Sequence, residues 1–530
     1  MPAHDASALA AAARPAGWRW LAPTQWLGAL AAFAWLASSI GLRPLTLPEE
    51  GRYVGVAWEM LRSGNWLVPT EDGLPFFHKP PLFYWITAAS MQTFGGNAAA
   101  ARLAPLFGAV VGALGVYWLV RRRADETLAR LTMLVLVTTP FFFGAAQFAN
   151  LDMLVAGFIA LTIGFAADAA LALRAGEPHR RALAAAWAFA ALAVLAKGLI
   201  GLVLPAGVML VWLVVSGQPR TILRLLSPLG LAVFALVAAP WFIAVQMQYP
   251  AFARYFFVHH HIERFAASGF NNIQPWWFFV VAVPLLALPW SLWLIGSTFK
   301  ARPAETADAT AVRSLMWVWL VAILFFFSIP KSKPVGYAMP VLFPLAFLIA
   351  DAVVAARRHD RPWLGRAVQV SVVAAVAICI AAVVWGATYD RDNTALARAL
   401  ARMRAPGDPI VFVGEYFFDI PLHARLSEPV PVISDWRDPK IAERDNWRRE
   451  LAEAAPFDPE RARTLLLDAE HAFALRCGKA PLWAVAKVDG EALLAALPGA
   501  TRVLVSNRVG LWRVEPRDCA AAPAVTRARP

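Results

Sequence analysis

Two charged stretches flank the mouth of an apolar run near the start of this chain: LPEEGRY, with Glu49, Glu50 and Arg52, and GLPFFHKPP, with Lys79. Charge is costly beside a bilayer, so a cluster of it calls for a ligand. Similar residues recur at the ends of later apolar runs, as Asp152, as His259, His260, His261, Glu263 and Arg264, and as Lys331, Lys333 and Tyr337. Basic side chains in this pattern suit an anion, and the simplest anion at that depth is a lipid phosphate. Singly, each has a plainer role. Lys79 and Arg52 can snorkel to headgroups, Glu49 and Glu50 can solvate a loop or pair with Arg52, and Asp152 can cap the helix that follows it. The histidines can form a surface cluster, and Lys331 and Lys333 can be loop charges. Their joint occurrence on one side of the membrane favours a common site.

The elements that must position them are membrane helices. A chain of 530 residues with 59% hydrophobic residues, 16% charged residues and 23 tryptophans is too apolar for an ordinary soluble enzyme. Apolar runs of roughly twenty residues, the length needed to cross a bilayer core of ~30 Å, recur along it. They fall at 24–42, 102–120, 128–146, 153–173, 182–199, 200–216, 228–247, 275–297, 313–329, 335–355 and 366–386. The expectation is an all-α polytopic domain over 24–386 with roughly 11 to 13 transmembrane helices. Ten later runs argue against reading the first as a signal peptide. The shorter piece 81–94 is expected to lie in the interface.

Arginines cluster in alternate loops, at 121–123, 174–181, 220–224, 302–313 and 357–366. The positive-inside rule assigns those loops to the cytoplasm, together with a tail over 1–23. Loops 43–101, 147–152, 248–274 and 330–334 then face out, as does everything after 387. The net charge of +13 is explained by this bias, with no need for nucleic acid as a partner. After Gly386 the composition turns polar, and strand-like runs such as PIVFVGEYFFDIPL and TRVLVSNRVGLWRVE predict a soluble α/β domain over 387–530. Cys379 lies in the last apolar run; a Cys477–Cys519 disulfide requires an extracytoplasmic tail. No fixed-period repeat is visible.

The order of these motifs resembles that of the GT-C membrane glycosyltransferases, in the family that includes aminoarabinose transferases acting on lipid A and protein O-mannosyltransferases. An acidic pair followed by Arg-Tyr is matched by Glu49, Glu50, Arg52 and Tyr53, an SGDW-like run by SGNWLVP, and a KPP run with Tyr-Trp by Lys79 to Trp85. Asp152, the AKG at 196–198, the HIERF at 261–265 and the run from Ser332 to Pro340 complete the series. The resemblance implies a bacterial inner-membrane enzyme that moves a sugar, with inversion, from a polyprenyl-phosphate donor to lipid A or another cell-envelope glycan. Lys79, Arg264, Tyr337, Lys333 and Arg52 would receive the phosphate charge, and Glu49 would orient or deprotonate the acceptor, with Glu50 or Asp152 placing it. Arg52 would also hold Glu49 ionised.

Glu49 stands where the aminoarabinose branch has an aspartate, which keeps the class and leaves the acceptor open. His261 matches a metal ligand of that branch, so a divalent metal at His261 and a hydrogen bond from Glu263 to its imidazole are both open; no cofactor is required. Two other readings compete: a protein O-mannosyltransferase, and a flippase or transporter for lipid-linked sugars. Transporters bind near the midplane through broken helices and show repeats; here the charges sit at one face, with Lys197, near a helix break, as the exception.

Overall fold

The computed structural model describes residues 23–263, 272–295, 306–357, 363–388, 392–443 and 446–517. Almost all of the expected 1–23 tail, together with Arg264 and Cys519, lies outside them.

All eleven apolar runs contain helix, yet fewer than eleven are straight and long. Among the described residues, six helices are long and apolar enough to cross a bilayer: Leu103–Arg123, Leu151–Ala175, Pro228–Gln248, Ala307–Ser328, Val335–Ala356 and Trp363–Thr388. The pair Glu126–Thr138 and Pro140–Ala146, bent by 68°, makes a seventh if its two halves form one span; Pro140 lacks the N–H that would continue the first helix. The remaining runs are shorter or broken for local reasons. Gly198, at φ +96°, ends the helix Arg180–Lys197 before Ile200–Val215 begins, and run 275–297 yields only Phe278–Leu286 and a single turn at Trp290–Leu294.

The Leu151–Ala175 helix is the axis of the bundle, buried over nearly its whole length. It crosses Leu103–Arg123 closely, since a Cβ added to Gly157 would lie 2.0 Å from the Gly108 carbonyl oxygen. Small residues at such a crossing let two backbones pack where lipid supplies no hydrophobic drive. At its far end Asp168 accepts from Arg122 Nε at 2.8 Å and Arg123 Nε at 2.6 Å, which fixes the rotation of both helices.

The outer elements begin with the helix Glu49–Ser63, a short hairpin of β1 (Thr70–Glu71) and β2 (Leu74–Pro75), and the helix Leu82–Phe94. The last has 13 residues, about 20 Å, and is too short to cross. It packs one face against the protein through Phe83, Tyr84, Ala88 and Met91. Beyond Thr388 comes a six-stranded sheet in the order β5-β4-β3-β6-β8-β7. It consists of β3 (Ile410–Val413), β4 (Val432–Ile433), β5 (Leu466–Leu467), β6 (Leu482–Lys487), β7 (Ala500–Ser506) and β8 (Val509–Val514). The first four are parallel and the last two antiparallel. Parallel strands covered on both faces read as unbroken apolar runs, as IVFV and LWAVA do here.

Candidate functional site at the outer mouth

Neighbouring carboxylates separate sharply at the start of the Glu49–Ser63 helix. Successive helical residues point about 100° apart, so Glu49 is exposed while Glu50 is completely buried. Among the described residues no ion pair reaches Glu49, which leaves its carboxylate available to a ligand. Glu50 accepts six hydrogen bonds: Arg102 Nε (2.8 Å) and Nη2 (2.9 Å), Arg43 Nη1 (2.5 Å) and Nη2 (3.2 Å), Thr46 N (2.8 Å) and Ala149 N (2.7 Å). Burial raises its pKa, but the two guanidiniums outweigh that and hold it down at about 2. A carboxylate so engaged has no lone pair to spare for an acceptor. The expected catalytic role of Glu50 is therefore replaced by an anchoring one. Its partner Arg102, fully buried, spends its remaining donors on the carbonyls of Ile40, Arg43 and Pro44 at 2.7 to 2.9 Å.

Through Ala149 the same anchor fixes the second outer turn, which leads into Asp152. Asn150 caps the next helix, its side-chain oxygen accepting from Asp152 N at 3.0 Å while its amide nitrogen donates to Asp152 Oδ2 at 3.2 Å. Asp152 also forms an ion pair with Lys197, whose ammonium stands 4.8 Å from the centre of the Tyr337 ring. Gly336 lies against this pair, for a Cβ there would come within 2.1 Å of Asp152 Oδ2. Three outer segments thus meet at one point, which puts Asp152 and Tyr337 on either side of the Lys197 ammonium. Lys197 belongs with them. In the sequence it marked only a helix break.

Arg52 departs from its expected role. It turns away from Glu49 to pair with Glu450 of the C-terminal domain and lies 4.9 Å from the Tyr53 ring centre. Lys333 is buried, and its ammonium donates to the backbone carbonyls of Gln274 (3.1 Å) and Pro330. Desolvation lowers its pKa. Its charge is used to join the 272–274 and 331–333 segments, which also share the bridge Ile273–Ser332, instead of facing a phosphate.

Lys79 is half-buried at the end of a loop stapled by two tryptophans: Trp85 Nε1 donates to the Trp66 carbonyl at 2.6 Å and Trp241 Nε1 to the Leu67 carbonyl at 2.9 Å. His261 lies on the wide helix Arg254–Glu263, but its side chain, and Arg264 beyond it, fall outside the described residues. Among the described residues no group of three or more His, Cys, Asp or Glu is arranged to hold a metal ion.

Comparison with known proteins places this architecture. The dolichyl-phosphate-mannose-protein mannosyltransferase family profile matches residues 78–243. The structure of ArnT from Cupriavidus metallidurans bound to undecaprenyl phosphate superposes with a TM-score of 0.74 at 25% identity, covering 93% of this chain and 98% of that one. The fold is that of the GT-C membrane glycosyltransferases. The resemblance read from the motifs holds as well. An undecaprenyl phosphate-alpha-4-amino-4-deoxy-L-arabinose arabinosyl transferase of Erwinia tasmaniensis is 32% identical over 357 residues, and one of Pseudomonas savastanoi pv. phaseolicola 33% over 338. Those alignments cover 66% and 63% of this chain and span 63% and 61% of the relatives' own lengths. The archaeal oligosaccharyltransferase AglB from Archaeoglobus fulgidus, at 14% identity and a TM-score of 0.53, shares the fold alone over 88% of this chain and 70% of its own. Within this GT-C frame the chain is a multi-pass membrane protein with an exposed acid at Glu49, an Asp152–Lys197–Tyr337 cluster and the Lys79 loop on its outer elements.

Proposed function

We propose that this protein is an inverting glycosyltransferase that moves a sugar, of the aminoarabinose type, from a polyprenyl-phosphate donor to lipid A or another cell-envelope glycan. The observation that carries the reading is the match along nearly the whole chain to a structure holding undecaprenyl phosphate, with charged outer segments converging at one mouth. In this reading the positive-inside bias puts the N-terminus in the cytoplasm and the sheet domain in the periplasm of a bacterial inner membrane.

In the transfer, an acceptor oxygen attacks the anomeric carbon from the face opposite the phosphate. The carbon–oxygen bond to the phosphate breaks, and its electron pair stays on the departing polyprenyl phosphate. No proton is needed on that leaving group if cations receive its charge, which is the work of Lys79, of Arg264 and of the Tyr337 hydroxyl. Glu49 takes the acceptor's proton when the acceptor is a hydroxyl. When it is a phosphate, already ionised, Glu49 positions it. Lys197 holds Asp152 as a carboxylate beside Tyr337, where it places the acceptor.

Full-length protein, given undecaprenyl-phosphate aminoarabinose and lipid A, is expected to add one pentosamine mass to lipid A by mass spectrometry. Unmodified lipid A together with glycosylated periplasmic protein would instead support the mannosyltransferase reading that the 78–243 profile match favours. Neither product, with labelled lipid crossing the bilayer unchanged, would support a flippase.

A further inference from the structure

One two-turn helix of the C-terminal domain, Trp447–Ala454, touches both halves of the outer mouth. Glu450 and Glu453 lie three residues apart, on one face. Glu450 pairs with Arg52, one turn along from Glu49 on the same helix. Glu453 reaches two other segments. Its Oε2 lies 3.4 Å from His78 Nε2, next to Lys79, and accepts from the Tyr255 hydroxyl at 2.8 Å. Tyr255 belongs to the Arg254–Glu263 helix, which ends one residue before Arg264 in the sequence. Arg449 Nε holds the other oxygen at 2.6 Å.

Just beyond this helix, Phe457 plugs the same junction, its ring centre 4.9 Å from Phe77 and 5.3 Å from Tyr255. Phe77 itself packs on Tyr249 and Phe252 at 5.0 and 5.1 Å. The carboxylate is thus set in an aromatic frame. Although burial opposes it, His78, Arg449 and Tyr255 hold the Glu453 carboxyl well below the usual carboxylate range.

We infer that Glu453 and Glu450 are positioning residues through which the C-terminal domain sets the spacing of the active mouth: Glu453 aligns the Lys79 loop with the helix leading to Arg264, and Glu450 fixes the helix that carries Glu49. The sequence separations, 398 residues for Arg52–Glu450 and 198 for Tyr255–Glu453, show that this registration exists only once the domain has docked. The inference deepens the proposed function and rests on it for the meaning of Lys79 and Arg264 as phosphate contacts. Glu453 would then govern donor binding and Glu450 the transfer step.

The test uses full-length protein in nanodiscs, with undecaprenyl phosphate as the binding probe and hydrogen exchange as a second readout independent of any activity. Glu453→Ala should raise exchange in both 76–81 and 254–258 and weaken undecaprenyl phosphate binding by about tenfold or more, the lower bound for losing a hydrogen bond to a charged group. Glu453→Gln, which keeps an acceptor for Tyr255, should recover most of both. Glu450→Ala should lower kcat and leave undecaprenyl phosphate affinity near wild type. Tyr255→Phe serves if Glu453→Ala does not fold, and should raise exchange in 254–258. Lys487→Ala, which removes an exposed pair with Glu415 on the same domain, is the control and should change nothing.

Unchanged exchange in both segments with Glu453→Ala and with Tyr255→Phe would overturn the inference. So would Glu453→Gln losing as much as Glu453→Ala. If the wild type fails to bind undecaprenyl phosphate, the proposed function falls, while the exchange comparison still decides whether Glu453 joins the two segments.

Discussion

Two buried acidic centres stand near each other on the outer side, and they are built in opposite ways. At Glu50 two arginines and two backbone amides converge on one carboxylate. At the docking junction Glu71, Asp72 and Glu450 are gathered with too few donors, and both oxygens of Glu71, Oδ2 of Asp72 and Oε2 of Glu450 are buried without a hydrogen bond. Burial and then the Glu450 charge push the Glu71 carboxyl well above its ordinary range, and burial with the nearby Glu59 does the same to Asp72. The first centre is ionised and rigid. In the second, Glu71 and Asp72 are pushed toward their neutral forms beside the Glu450 charge. Desolvation is the same in both, so it is the supply of donors that decides whether a buried acid clamps a fold or makes it sensitive to proton concentration.

The largest effect should come from breaking the satisfied centre. Arg102→Ala leaves Glu50 charged and underpaired, at a cost of about 3 to 5 kcal/mol for half a buried ion pair, read as a lower melting temperature with loss of all activity. Glu49→Gln sharpens the contrast with its neighbour. It should reduce transfer by about 10² to 10⁴, the usual worth of a general base, while the melting temperature stays put because Glu49 is exposed. An equal loss of stability in both variants would mean that the two glutamates are not divided as described.

The pH dependence separates the centres next. Glu59, whose carboxylate accepts from Thr70, Asp72 and Gly73, is raised by burial to about 7. Its native form binds more protons than its unfolded form, so its contribution to stability falls as pH rises from about 4.5 to about 7. Glu50, lowered to about 2, works in the opposite sense. Its contribution is complete above about 4.5 and is lost as pH falls toward 2. Protection from exchange, corrected for the intrinsic rate, should fall in 70–75 as pH rises from about 4.5 to about 7 while 147–151 stays level, and should fall in 147–151 only as pH drops from about 4.5 toward 2. Glu71→Gln should be smaller still, within about 1 kcal/mol or slightly stabilising, because it removes an acid that burial and the Glu450 charge push toward its neutral form. Smallest is Arg508→Ala, which removes a fully solvated pair with Asp489 and should alter stability by less than about 0.5 kcal/mol.

The membrane domain was legible in the sequence because hydropathy is local: every apolar run contains helix, the split after Gly198 included, and the misjudged runs are those bent or broken at Pro140 and Pro289. The grouping of the charges at helix ends was legible for the same reason. Their partners were not. Nothing near Arg102 marks it as the mate of Glu50, 52 residues earlier, and nothing near Arg52 points to Glu450. Lys197 was visible only as an oddity at a helix break, although a lone lysine beside a glycine in an apolar segment is the kind of signal that finds an intramembrane ion pair. Lys333 misled because composition shows a charge without showing that two carbonyls already claim it.

Gly336 leaves no side chain between the backbone of the last outer turn and Asp152. The two therefore share a wall, and neither can shift without displacing the other. A side chain at position 336 would have to push the Asp152 carboxylate aside, so any larger residue there is expected to break its ion pair with Lys197.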